Sequence, residues 1–279
     1  LPRTAPDVAH ITNAPTGDPS PWPKTSAMTG WAVVTGASGG LGAGFAKELA
    51  RQGANLILVA RSADKLETLA DELRARYRIQ VETWPCDLVN RGARAVLAAD
   101  LASREIHTLV NNAGFGSIGD FTDLPQERIS AEVELNVVAL TDLTRTVLPG
   151  MKQRDRGAVI NIASTAAFQP IPGFTTYAAT KSYVLRLSIG LWAELHNTGV
   201  RVLAVCPGPT DTGFFSAAGN DQVMGHRRSV EQVVATSFKA LRRHRPYVVD
   251  GVGNTIMAEA TRLVPATWVS QMAGWIASH

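Results

Sequence analysis

Short apolar runs alternate with segments of helical spacing along most of this chain, and that alternation limits the fold more than any other feature. Ala32-Val33-Val34-Thr35, Asn55–Ala60, Val81–Pro85, Ile106–Val110, Ala158–Ala163, Val200–Val205 and Tyr247–Val249 read as strands. Between them, Leu41–Gln52, Ser62–Arg76, Arg91–Leu101, 126–153, Thr176–Thr198 and Val230–Arg243 read as helices. In the second helix Leu66, Leu69 and Leu73 recur at helical intervals behind Ser62, a residue suited to an N-cap. In 126–153, Val133, Val137, Leu140, Thr144 and Val147 fall on one face. Repeated strand–helix units give a parallel sheet, and its strands are apolar on both faces because helices cover both sides. Right-handed crossovers then wind the sheet outward in both directions from the middle. The expectation is a single α/β domain built on a doubly wound parallel sheet of about seven strands. Ligands in such sheets bind beyond the carboxyl ends of the strands, so the residues just after each strand are where chemistry is sought.

Composition supports one core of this kind. The 279 residues are 45% hydrophobic and 18% charged, enough apolar material for a sizeable interior. Residues 1–27 read as a flexible Pro-rich N-terminal arm: six of the 15 prolines lie in 1–24, and no apolar core of a secretory signal is visible. A catalytic domain is expected over 28–252. Residues 253–279 are expected to add a helical extension packed on the domain or on a partner subunit, with Trp268 and Trp275 among its apolar residues. The uncharged stretches Thr25–Ala46 and Gly157–Thr180 are too rich in Gly, Pro, Ser and Thr to read as transmembrane helices. A cytoplasmic protein is the expectation. A net charge of +3 does not point to nucleic acid. Two cysteines, Cys86 and Cys206, make neither a disulfide frame nor a cysteine-rich metal site, so no metal is expected.

Three glycine motifs differ in context. Thr35-Gly36-Ala37-Ser38-Gly39-Gly40-Leu41-Gly42 joins the first strand to the first helix. Glycines there permit a tight turn and close backbone approach, and a helix N-terminus offers N–H groups and positive dipole to a pyrophosphate. Gly114-Phe115-Gly116-Ser117-Ile118-Gly119 has the better-known G-x-G-x-x-G spacing but is followed by Asp120 to Pro125 instead of a helix start, so it reads as a flexible loop. Gly36-Ala37-Ser38-Gly39-Gly40 also fits the G-x-S-x-G of a hydrolase nucleophile elbow. A serine hydrolase using Ser38 is a remote alternative, because nothing upstream would complete an oxyanion hole.

At this point the chain resembles the short-chain dehydrogenase/reductase family over roughly residues 30–250. The resemblance rests on TGASGGLG (35–42), NNAG (111–114), Asn136, Ser164, the YAATK run from Tyr177 to Lys181, and Pro207-Gly208, all in order. The runs VARSADKL (59–66) and PGPTDT (207–212) resemble the branch that includes ketone and steroid reductases. The resemblance implies a Rossmann-type fold, a nicotinamide cofactor, and a homodimer or homotetramer. It further implies that Asn136 holds a water linking Lys181 to solvent, and that Lys181 hydrogen-bonds the nicotinamide ribose.

The chemistry of the residues agrees. Tyr177 and Lys181 are four apart and so share a helical face. A phenol titrates near ~10, and a neighbouring ammonium lowers that value. Tyr177 would be the acid in reduction and the base in oxidation, while Ser164 would donate to the substrate oxygen. Taken singly, Ser164 could cap a turn and Asn136 could bond backbone in a distorted helix. The expected activity is oxidoreduction between a hydrophobic ketone or aldehyde and its alcohol. The alternative is a catalytically silent cofactor-binding regulator.

Arg61 follows the second strand where NAD-binding relatives carry a carboxylate, so NADP(H) is favoured over NAD(H). Many NADP-preferring relatives also have a basic residue where this chain has Gly39. Expected cofactor contacts are Gly36, Ser38, Gly39, Gly40, Leu41, Gly42, Arg61, Ser62, Asp87, Leu88, Asn112, Ala113, Gly114, Tyr177, Lys181, Pro207, Gly208, Thr210 and Thr212. Expected substrate contacts are Ser164, Phe115, Phe168, Phe174, Phe214 and Phe215, and their apolar character points to a small hydrophobic partner.

Overall fold

The computed structural model describes residues 30–211 and 228–261, together with Thr267 and Trp268. Seven strands, β1 (Trp31–Thr35), β2 (Asn55–Ala60), β3 (Val81–Pro85), β4 (Ile106–Asn111), β5 (Gly157–Ile162), β6 (Val200–Cys206) and β7 (Tyr247–Val249), form one sheet in the order β3-β2-β1-β4-β5-β6-β7. Every pairing is parallel. The order reverses between β1 and β4, which makes the carboxyl ends of those two strands the crevice of the sheet.

Among the described residues eight α-helices cover the two faces: α1 (Gly40–Arg51), α2 (Ala63–Tyr77), α3 (Arg91–Ala102), α4 (Gln126–Val133), α5 (Leu140–Gln153), α6 (Thr175–Glu194), α7 (Val230–Arg242) and α8 (Val252–Ala260). Successive residues of β2 feed opposite cores, as the pleat requires. Leu56 and Leu58 pack with Phe45, Leu49, Leu73 and Phe238 from α1, α2 and α7. Ile57 and Val59 pack with Leu97, Leu101, Leu143 and Met151 from α3 and α5. Both sides of the strand are dry, which is why its sequence is an uninterrupted apolar run.

The long helix expected over 126–153 is present but carries a π-helical segment, Glu134–Ala139, between α4 and α5. Downstream of it the expected inward face holds, with Leu140, Thr144 and Val147 buried. Upstream it does not: Val133 is exposed, and Glu132 and Asn136 point inward instead. A π turn uses more residues than an α turn, so it rotates the preceding segment relative to the following one. Arg94 on α3, itself buried, holds this distortion from outside. It donates to Glu134 at 2.6 Å, to Asp142 at 2.8 Å and to the Leu88 carbonyl at 2.7 Å.

Cys86 and Cys206 are buried beside the ends of β3 and β6, as expected of small apolar residues there. Thr212, Phe214 and Phe215, the arm 1–27 and residues 269–279 lie outside the described residues. Among the described residues no helix is long and apolar enough to cross a membrane, and no cluster of His, Cys, Asp or Glu could hold a metal ion.

Candidate active site

The crevice is built on the link between β1 and α1. Gly36 takes a φ of +65°, and a Cβ on Gly42 would run into the Gly36 carbonyl oxygen and come within 2.6 Å of the Asn112 amide nitrogen. The turn and the first helical residues therefore touch backbone to backbone, which only glycine permits. Asn112 Nδ2 donates to the carbonyls of Thr35 and Gly36 at 2.9 and 3.2 Å. The Thr35 hydroxyl accepts from the N–H groups of Asn112 and Ala113, both at 3.0 Å, and donates to Val110 O at 3.3 Å. The ends of β1 and β4 are thus locked together in front of an α1 N-terminus that has no side-chain cap. Its N–H groups remain for a ligand, and a pyrophosphate fits that cradle in charge and size. Gly39 differs from Gly36 and Gly42: its backbone is extended and its Cβ position faces open space.

The rim residues surround this turn. Arg61 and Ser62 are exposed directly after β2. Ser62 occupies the N-cap position of α2, but its hydroxyl makes no capping bond, and Arg61 has no hydrogen bond or ion pair among the described residues. Asp87 is exposed after β3 and accepts from Val89 N at 3.1 Å, while Leu88 beside it is buried. After β6, Pro207 accepts from Thr165 N at 2.9 Å, and Thr210 is buried with its hydroxyl on the Gly208 carbonyl at 3.0 Å. Ser38 lies in the turn, and among the described residues no histidine is hydrogen-bonded to it.

The expected four side chains converge at the carboxyl ends of β4, β5 and β6. The Ser164 hydroxyl accepts from Ala166 N at 3.1 Å, capping the 3₁₀ turn Thr165–Phe168, and is also hydrogen-bonded to the Tyr177 hydroxyl. Lys181 Nζ donates to Ile162 O at 2.8 Å and sits 5.5 Å from the centre of the Tyr177 ring. Asn136, inside the π segment, donates to Phe115 O at 2.9 Å and Thr180 Oγ1 at 3.1 Å, and accepts from Phe115 N at 3.2 Å. It therefore bonds the backbone of the loop after β4 in both directions. A Cβ on Gly114 would stand 2.8 Å from Asn136 Oδ1 and 3.4 Å from Lys181 Nζ, so the loop backbone lies against both.

Burial dominates the electrostatics. It lowers the Lys181 ammonium to about 8 and pushes the Tyr177 hydroxyl above the usual phenol range, the latter against the Ser164 hydrogen bond, which favours the phenolate. Cys206, buried beside the pair at the end of β6, is raised to about 12 for the same reason. A protonated tyrosine next to a lysine that can be charged or neutral is a proton-transfer pair whose balance depends on any further charge brought nearby.

The loop 114–119, expected to be flexible, is packed onto this site. Gly116 and Ser117 are buried, and a Cβ on Gly116 would lie 2.6 Å from the Phe174 ring and 2.9 Å from Tyr177. Phe174 stacks on Tyr177 with ring centres 4.3 Å apart. Arg128 on α4 fixes the loop from outside, donating to Ser117 Oγ at 3.0 Å and Gly116 O at 3.2 Å with its guanidinium 5.4 Å from the Phe115 ring. The G-x-G-x-x-G spacing therefore serves close packing around the tyrosine and is no second dinucleotide turn. Phe168 belongs to a different cluster from Phe174: it packs with Leu140 and Val184, 6.0 Å from the Tyr247 ring.

Sequence reasoning missed Thr35, Arg128 and Glu132. Thr35 was visible as the hydroxyl residue ending the first strand. Glu132, completely buried, was visible only as the residue four before Asn136, because the π turn that carries it inward has no sequence signature.

Comparison with known proteins agrees with this geometry. A family model described as short chain dehydrogenase matches residues 30–223. The very-long-chain 3-oxoacyl-CoA reductase of Bos taurus is 36% identical over 181 residues, covering 63% of this chain and 58% of that protein. The chain thus spans less than two thirds of that relative. The 17-beta-hydroxysteroid dehydrogenase type 3 of Danio rerio is 32% identical over 247 residues, 86% of this chain and 78% of the relative. Among solved structures, a short-chain dehydrogenase from Sphingobium yanoikuyae in complex with NADPH superposes with a TM-score of 0.78 at 34% identity, covering 84% of this chain and 93% of that one.

Proposed function

The chain belongs to the short-chain dehydrogenase family, and on that premise we propose that it is an NADP(H)-dependent oxidoreductase interconverting a hydrophobic ketone or aldehyde and its alcohol. One observation carries the reading: the Tyr177 hydroxyl is hydrogen-bonded to Ser164 with the Lys181 ammonium beside its ring, all three at the strand ends next to the glycine cradle. When bound, the nicotinamide supplies or accepts the hydride. The residues of the chain supply the rest. Ser164 donates to the carbonyl oxygen and favours the negative charge that develops there. Tyr177 gives its proton to that oxygen in reduction and takes it back in oxidation. Lys181 stabilises the phenolate between turnovers, and its hold on Ile162 O leaves further N–H groups for a ribose hydroxyl. The cradle of Gly36 and Gly42 suits the pyrophosphate.

Arg61 supports NADP(H) over NAD(H): an exposed guanidinium with no partner among the described residues suits a 2′-phosphate. The relative in complex with NADPH favours the same choice. Ile171 and Phe174, packed against Tyr177, favour an apolar substrate, as does the hydroxysteroid dehydrogenase relative.

The test is loss of NADPH absorbance with a panel of hydrophobic ketones, in the parent and in Tyr177→Phe. Turnover that falls by about 10²-fold or more in the variant, with NADPH still quenching protein fluorescence, supports the reading. Tight NADPH binding without turnover across the panel would favour a cofactor-binding regulator.

A further inference from the structure

Glu132 is a buried acid that the mechanism above does not use. It is fully buried on the inward face of α4, one turn before Asn136, and among the described residues neither carboxyl oxygen makes a well-formed hydrogen bond, Ser117 being the polar group turned toward it. Burying such a group without a partner costs stability that an apolar residue of the same size would not. Arg128 stands four residues earlier, the spacing of a helical ion pair; its guanidinium bonds Ser117 and Gly116 and lies by the Phe115 ring, and from there its charge favours the carboxylate. Ser117 turns its hydroxyl and N–H toward the carboxyl. On the other side lies α6, where Glu132 interacts electrostatically with both Lys181 and Tyr177.

We propose that Glu132 is a positioning acid for Tyr177 and Lys181: its charge state sets how readily that pair releases its proton. This rests on the oxidoreductase reading and adds a residue to it. The groups facing the three are Arg128 on α4, Ser117 on the loop after β4, Ser164 after β5 and Cys206 at the end of β6. Burial holds the Glu132 carboxyl above the usual carboxylate range. As it ionises, its negative charge favours ammonium over amine at Lys181 and phenol over phenolate at Tyr177. The three groups then titrate as one coupled unit, with apparent values that belong to the set.

Two measurements on the 279-residue chain test this. The first is an infrared pH titration of the parent against Glu132→Gln, read at the carboxylic-acid carbonyl band and needing no substrate. The expected result is a band present in the parent and absent from the variant, whose titration moves to higher pH in Lys181→Met and is altered in Tyr177→Phe. No such band, or a titration that ignores both variants, overturns the proposal. The second is the pH profile of alcohol oxidation. In Glu132→Gln, and in Glu132→Met as a second variant, the rising arm is expected to shift down by about one pH unit, because the base form of Tyr177 appears sooner. Superimposable profiles overturn it. If the parent oxidises no alcohol, the oxidoreductase reading fails and the infrared coupling decides for Glu132 alone.

Discussion

The Lys181 ammonium rests on the carbonyl oxygen of Ile162 at 2.8 Å, so the last residue of β5 anchors the cation that lies beside the Tyr177 ring. Strand and helix meet there at the carboxyl end of the sheet, and the anchor fixes where the charge sits. Lys181→Met would remove the charge and leave the buried carbonyl without its donor. Turnover is expected to fall by about 10²-fold or more, and Lys181→Arg is expected not to restore it, since a planar fork does not fit a pocket shaped for an ammonium. Steady-state rates at saturating NADPH check this.

Gly42 and Gly39 lie in one motif but are predicted to behave oppositely. A Cβ at Gly42 meets the Gly36 carbonyl and the Asn112 amide, whereas one at Gly39 meets nothing within 4 Å. Gly42→Ala should cost about 1–3 kcal/mol or more through overpacking and weaken NADPH binding. Gly39→Ala should leave thermal stability nearly unchanged. Melting curves of the two variants separate the cases.

Arg61 is predicted to set cofactor choice. A charged hydrogen bond to phosphate is worth roughly 1.5–3 kcal/mol, about 10- to 100-fold in affinity. Arg61→Asp should therefore lower the preference for NADPH over NADH by at least about 10-fold without changing the melting temperature. Equal ratios in parent and variant, measured by titration with each cofactor, would place 2′-phosphate recognition elsewhere.

His107, buried at the opposite end of the sheet, is predicted to make the fold acid-sensitive. Burial, with Arg156 and Arg154 nearby, lowers it to about 4 from an ordinary 6.5. In that interval the unfolded chain binds a proton that the native chain refuses, so stability falls as pH drops from about 6.5 toward 4. His107→Gln should flatten this part of the melting-temperature profile. A slope unchanged by the substitution would assign the acid sensitivity to other groups.

Much of the site was legible because its signals are local. Alternating apolar runs dictate a parallel sheet, glycines between β1 and α1 dictate a tight turn, and a spacing of four puts Tyr177 and Lys181 on one face. These depend on periods of two and 3.6 residues that any stretch of chain carries with it. Tertiary structure decided what distant segments do to one another. The lock between Thr35 and Asn112 spans 77 residues, and that between Asn136 and Thr180 spans 44. The G-x-G-x-x-G run at 114–119 was read as loose because its sequence lacks a helix start, yet Arg128, Asn136 and Phe174 pack it firmly. Periodicity predicts that a helix has an inward face without saying where a π turn will rotate it. Val133 was therefore expected inside, and Glu132, close enough to Tyr177 and Lys181 to act on their charges, emerged only when α4, α6 and the loop after β4 were brought together.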